Sequence, residues 1–221
     1  MEMKPKHLNT LSGNTIHMSG KNIQELNFTK TEIKILKHIF KHYKDRYNAR
    51  QIAKELSLNH AHINDLCNAL EKKNLLVREE IGNSIYYQFD YANKLALNFI
   101  EYLLSLEIKE FPKYLKVLLH SLSKFNEHIQ LGLVFGSSIK SSKYNDIDVL
   151  LIYDKKKSQS INKIKEDIRK SELVEKPIRY VEISEKDLIK NKDNKIFYSI
   201  ISENLIFHNS SKYIEVIKWS I

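Results

Sequence analysis

Residues 131–153, LGLVFGSSIKSSKYNDIDVLLIY, constrain the fold more than any other stretch of the chain. Leu131, Leu133, Val134 and Phe135 form an apolar run of strand length. Gly136-Ser137 ends it with residue types that permit a tight turn, and a helix is expected to start there. After a short polar insert, Asp146 and Asp148 lead into Val149-Leu150-Leu151-Ile152-Tyr153, whose composition is that of a buried strand. In a strand, spacing i, i+2 puts both carboxylates on one face. Two carboxylates so placed repel unless a positive charge lies between them, and divalent ions are the usual solution in phosphoryl transfer. A turn without a Cβ lets phosphate oxygens approach, and the N–H groups of a helix start favour anions. Taken singly, a Gly-Ser turn or an Asp-x-Asp pair is an ordinary turn or a solvated edge. The ordered conjunction of strand, turn, aspartate pair and second strand is what points to a nucleotide site.

On Phe135-Gly136-Ser137 and Asn145-Asp146-Ile147-Asp148 the chain resembles the DNA polymerase beta superfamily of nucleotidyltransferases, above all its minimal, kanamycin-nucleotidyltransferase-like members. The resemblance runs from about residue 129 to the C-terminus. It implies a small mixed-sheet domain in which Gly136 and Ser137, with Lys140 beyond them, bind a nucleoside triphosphate, expected to be ATP, while Asp146 and Asp148 bind two Mg²⁺ ions. The chain departs from the family pattern at Lys140-Ser141, where Arg-Gly is common, in a shorter insert before the aspartates, and at Asn145, which stands for a serine. An active member needs a third carboxylate on a later strand, and Glu182 in Pro177-Ile178-Arg179-Tyr180-Val181-Glu182-Ile183-Ser184 is the acidic residue there. Aligning Ser184-Glu185-Lys186-Asp187-Leu188 with the turn and helix after that strand puts the position on Val181 instead, and one residue of slip changes the face. With Glu182, the set Asp146, Asp148 and Glu182 is catalytic and metal-binding, and the chain transfers a nucleoside monophosphate to an acceptor hydroxyl. With Val181, the domain is a nucleotide sensor or partner-binding module without turnover. Minimal members often act as antitoxins, so a small helical toxin or other protein acceptor is an implied partner.

Upstream, Thr29-Lys30-Thr31-Glu32 reads as a capping box opening a helix with Ile33, Leu36, Ile39 and Phe40 on one face. Asn48 caps a second helix, over 49–56, and Ile63, Leu66, Cys67 and Leu70 mark a third, over about 60–73. Leu75-Leu76-Val77-Arg78 and the run from Ser84 to Phe89 form a hairpin around Gly82-Asn83. Over residues 28–90 this order resembles a winged helix-turn-helix domain, which implies a recognition surface of Asn59, His60, His62, Asn64 and Asn68, with Lys72, Lys73 and Arg78 on phosphates of duplex DNA. No Lys or Arg occurs from Glu55 through Glu71, which counts against DNA binding. Two further helices are expected, over about 91–106 and 111–125, with the domain boundary near 109–112. The predicted organisation is thus α+β: a mobile arm at 1–26, the winged helix-turn-helix domain at 27–109 and the nucleotidyltransferase domain at 110–221. Beyond Tyr153, Lys155-Lys156-Lys157 is a basic loop near the expected mouth of the site, or only a solvated turn.

Charge fits such partners: the formal net charge is +9, which suits polyanions. It is unevenly placed, since residues 1–110 carry 16 Lys+Arg and 13 Asp+Glu, net +3, and the remainder 20 and 14, net +6. The single Cys67 excludes an internal disulfide and a cysteine-based zinc site. No segment approaches the apolar length of a membrane span, so no membrane partner and a cytoplasmic location are expected.

Overall fold

The computed structural model describes residues 27–171 and 174–221; the arm expected at 1–26 lies outside the described residues. Helix α1 (Lys30–Lys41) opens on the predicted capping box, with the Glu32 amide donating to Thr29 Oγ1 (3.1 Å) and the Thr29 amide donating to Glu32 (2.8 Å). A two-residue strand that the sequence does not announce, β1 (Tyr47–Asn48), precedes α2 (Ala49–Glu55) and α3 (His60–Lys72), capped by Asn48 and Asn59. Strands β2 (Leu76–Ile81) and β3 (Ser84–Phe89) form the expected hairpin, and β1 adds to its other side in the order β1-β3-β2. Three helices and a hairpin in this order are the arrangement the sequence predicts.

Helices α4 (Lys94–Ser105) and α5 (Glu107–Glu110) follow. The continuous helix expected over 111–125 is instead a 3-10 turn (Lys113–Leu115), α6 (Lys116–Leu122) and a second 3-10 turn (Ser123–Phe125). Pro112 has no N–H to donate and holds Phe111 extended, at φ −54° and ψ 134°, so no helix passes through the pair.

The second sheet contains β4 (Leu131–Phe135), β5 (Ile147–Ile152), β6 (Ile178–Ile183) and β7 (Asn204–His208) in the order β6-β5-β4-β7. Strand β4 is antiparallel to β5 and β7, and β5 runs parallel to β6 through the crossover helix α7 (Ser158–Arg169). Helices α8 (Glu185–Asn191), α9 (Lys195–Ser202) and α10 (Ser210–Ser220) complete an α+β fold with two small sheets. Residue parity assigns the layers. Val134, Val149, Leu151 and Tyr180 pack with Leu118, Leu122, Ile161 and Ile168 from α6 and α7. Leu133, Leu150, Ile152 and Val181 pack with Ile201 and Tyr213 from α9 and α10. A Cβ on Gly132 would run into the Phe207 ring, so the face of β4 that packs toward α6 and α7 needs glycine there.

The core on the α9 and α10 side continues without a break into Ile35, Phe40, Phe89 and Ile100 of the N-terminal helices and hairpin. The helix pattern therefore stops at 110–112, where the boundary was expected, but the packing does not. A buried ion cluster spans the same join. Glu107 of α5 is 1% exposed and accepts from Lys41 of α1 (2.9 Å), while Lys37 lies 3.0 Å from its other oxygen. The Ile206 amide of β7 donates to the same carboxylate (3.2 Å), and Lys41 Nζ also donates to the Asn204 carbonyl (2.9 Å). Burial works to raise the Glu107 pKa, but Lys41 and Lys37 outweigh it and hold the carboxyl below its ordinary range. Cys67 is fully buried and its thiol is pushed up to about 12 by that burial, as core packing requires. Among the described residues, no helix is long and apolar enough to cross a membrane.

Candidate functional site

Phe135 is the last residue of β4 and pairs with Asp148 on one side and Asn204 on the other. Gly136 then turns with φ +78°, and a Cβ on it would collide with Asp148 Oδ2, so both conformation and space demand glycine. The helix expected after it is a single 3-10 turn (Ser137–Ile139), with the Lys140 and Ser141 amides donating to the Ser137 carbonyl. So short a turn turns fewer N–H groups toward an anion than a helix start would. Ser137 is exposed at the bend. The turn is pinned from below by two residues that no local sequence signal marks for this role: buried Ser138 donates to the Phe135 carbonyl (3.3 Å), and the Tyr114 hydroxyl donates to the Ser138 carbonyl (3.0 Å).

Asp146 stands just before β5 and Asp148 within it, on the face the spacing predicts. Burial raises the Asp148 pKa and the Asp146 carboxylate raises it further, while Arg179 opposes both. Arg179, in β6, is the lateral partner of Asp148, and its guanidinium lies 2.9 Å from Asp146 Oδ2. Glu182 pairs with Leu151 and therefore points to the opposite face. There it is ion-paired with Lys165 of α7 and accepts the Tyr153 hydroxyl proton. Burial works to raise its pKa, but those two partners outweigh it and hold its carboxyl low. The expectation that Glu182 joins Asp146 and Asp148 is corrected by register: Arg179 and Val181 share the aspartates' face, and strand parity turns Glu182 away.

Asp148 opens on a cleft of about 740 Å³ between the sheet and α9, lined by Gly136, Asp148, Arg179 and Val181 on the sheet side and by Lys195, Ile196, Ser199 and Glu203 opposite. Lys140 reaches across it to an ion pair with Glu203. Among the described residues no group of three His, Cys, Asp or Glu side chains could hold a metal ion. Asp146 and Asp148 alone, with Glu182 turned to the opposite face, supply fewer carboxylates than two Mg²⁺ ions need, so the residues present do not fit that pair. Lys155, Lys156 and Lys157 lie beyond the far end of β5, on the order of 20 Å of strand from the aspartates, and are not at this mouth.

The expected DNA surface comes together only in part. Asn59 is spent as the α3 cap, accepting from the Ala61 amide (3.0 Å). His60, His62 and Asn64 are exposed. The Tyr87 hydroxyl lies 3.0 Å from Asn64 Oδ1 and 2.8 Å from Asn68 Oδ1; having one proton, it donates to one of them at a time. Lys73 is turned inward against Glu32 (2.6 Å) and over the Phe28 ring, so it closes the start of α1 and is not placed for phosphate. Arg78 pairs with Glu80, and Glu79 beside it pairs with Arg46 from the segment before β1, so Arg78 is not free for phosphate. Lys72 remains exposed. Arg50 lies on α2, outside the α3 and hairpin residues that the sequence pattern implicates, and shares with His60, Asn64 and Asn83 a groove of about 330 Å³.

No family model matches the chain, and no curated protein matches it. A solved structure of a mutant of ZitR from Lactococcus lactis matches with a TM-score of 0.31 at 12% identity, covering 68% of this chain and 79% of that one. A superposition so loose decides nothing about fold or function.

Proposed function

We propose that the chain binds the polyphosphate of a nucleoside triphosphate in the cleft beside Gly136 without transferring the nucleotide, and acts as a nucleotide-responsive regulator whose N-terminal helices and hairpin contact duplex DNA. The observation that carries this reading is the register of β6, which puts Arg179 and Val181 on the aspartates' face and Glu182 on the other. A guanidinium there binds phosphate oxygens in the two-pronged manner carboxylates cannot, and it cannot take a proton from an attacking hydroxyl. Lys140 and Lys195 add charge around the same cleft, and Ile196 offers an apolar contact to a base. The DNA side rests on the order of elements and on the groove holding Arg50, His60 and Asn64, with Lys72 exposed on α3.

The test is incubation of the full chain with each labelled nucleoside triphosphate, with and without Mg²⁺, in the presence of candidate protein and nucleic-acid acceptors. Saturable binding without label transfer is expected. The transferase reading has one observation in its favour, the Asp146 and Asp148 pair beside the Gly136 turn. Label transfer to any acceptor, a small helical toxin included, with release of pyrophosphate would replace the regulator by the Mg²⁺-dependent nucleotidyltransferase.

A further inference from the structure

Helix α9 has two working faces. Lys195, Ile196, Ser199, Ile200 and Glu203 recur at helical spacing and line the cleft. Its other side is gripped by the segment that follows α1. The Tyr198 hydroxyl donates to Asp45, the Tyr43 and Tyr198 rings meet edge to face with centroids 5.3 Å apart, and Lys44 donates to the Lys192 carbonyl (2.5 Å) just before the helix. At its C-terminal end, Asn204 donates to the Ile200 and Ile201 carbonyls (2.9 and 2.7 Å), and Lys41 of α1 donates to the Asn204 carbonyl. The same helix is thus a wall of the cleft and a seat for the segment leading to β1, which pairs with the hairpin.

Two cations at the cleft are already paired. Lys140 is held by Glu203 and Arg179 by Asp146, with Lys140 and Arg179 63% and 72% exposed. Pairs so exposed to water are weak, and a triphosphate carries several charges with which to displace the carboxylates. Once Lys140 turns to phosphate, Glu203 is released at the junction of α9 and β7, one residue from the Asn204 that Lys41 holds.

We propose that α9 is the regulatory element of the cleft: a polyphosphate anion exchanges for Glu203 at Lys140, and the resulting adjustment of α9 passes to the N-terminal unit through the Tyr198–Asp45, Lys44–Lys192 and Lys41–Asn204 contacts. This rests on the cleft binding a nucleoside triphosphate. The two arrangements differ in named contacts, as a coupled equilibrium requires.

Hydrogen exchange of the full chain with and without ATP tests it, with Mg²⁺ absent and then present. Slowed exchange at 136–140 reports the cleft, and altered exchange at 41–48 reports the coupling. Both are expected in the wild type. In Tyr198→Phe, which removes one hydroxyl, and in Asp45→Asn, from the other side of the same bond, ATP affinity should stay within about threefold and the response at 136–140 should persist, while that at 41–48 is reduced. A wild-type response at 136–140 with none at 41–48 overturns the coupling and leaves the binding site standing. A response at 41–48 that is undiminished in both variants also overturns it. No response at 136–140 removes the binding site and the coupling together.

Discussion

Gly136, Asp148 and Arg179 set what the cleft can hold. Gly136→Ala places a Cβ against Asp148 at a backbone φ of +78°, and should cost about 2 kcal/mol or more while displacing the aspartate. Thermal melting and ATP titration check both effects; an unaltered melt would remove the argument for a strained turn. Arg179→Ala should weaken triphosphate binding by roughly tenfold to a hundredfold, the range of one lost charge-assisted hydrogen bond. Calorimetric titration at fixed salt reads this directly, and tighter binding would mean that Arg179 blocks the site instead of serving it. Asp148 has its pKa raised in the folded state, so its penalty is absent when it is protonated and grows as pH rises through that raised value. Asp148→Asn should therefore leave Tm unchanged or raise it by about 1–2 °C at neutral pH. The pair Asp146 and Asp148 was legible from its spacing alone. Arg179 was not, because it lies 31 residues beyond Asp148 and meets it only through the parallel pairing of β5 with β6.

Helices α1 and α5 and strand β7 are held to one another by Glu107. Glu107→Gln leaves the Lys41 ammonium buried without its counter-charge, which should cost about 3–5 kcal/mol and lower Tm by roughly 10 °C. The pH dependence has a definite sign. A carboxyl held low in the folded state gives stability that is present above its unfolded value, about 4.3, and is lost as pH falls through the lower folded value. The Tm gap between wild type and Glu107→Gln should therefore be full at neutral pH and close in strong acid. Melts across that range decide it; a gap independent of pH would mean that Glu107 acts through its shape. The sequence shows Glu107 only as a polar residue near a helix end, since its partners come from α1 and β7.

At the scale of the molecule, one apolar core joins the N-terminal helices to the sheet, so residues 27–109 expressed alone would expose Phe40, whose ring meets that of Tyr213 in α10, and the side of α4 that packs on α10. The full chain should melt in one transition, and the truncated chain should lack a cooperative one; two separate transitions in the full chain would show independent units. DNA binding is therefore tested on the whole chain. Arg50→Ala and Lys72→Ala should each reduce the slope of log affinity against log salt by about 0.9, whereas Lys73→Ala, which opens the Glu32 pair, should lower stability and leave the slope alone.

Local signals determined a great deal of this. The capping box at Thr29, the cap at Asn48, the Gly82-Asn83 hairpin and the two apolar strands around the aspartates are all settled by neighbours within a few residues, and each stands where the residues place it. What the sequence left open was which residues of β6 share the aspartates' face, because Val181 and Glu182 differ by a single step on a strand of period two. Only the hydrogen-bonded register, fixed by the packing of Tyr180 on one layer and Val181 on the other, turns the guanidinium toward the aspartates and the glutamate toward Lys165.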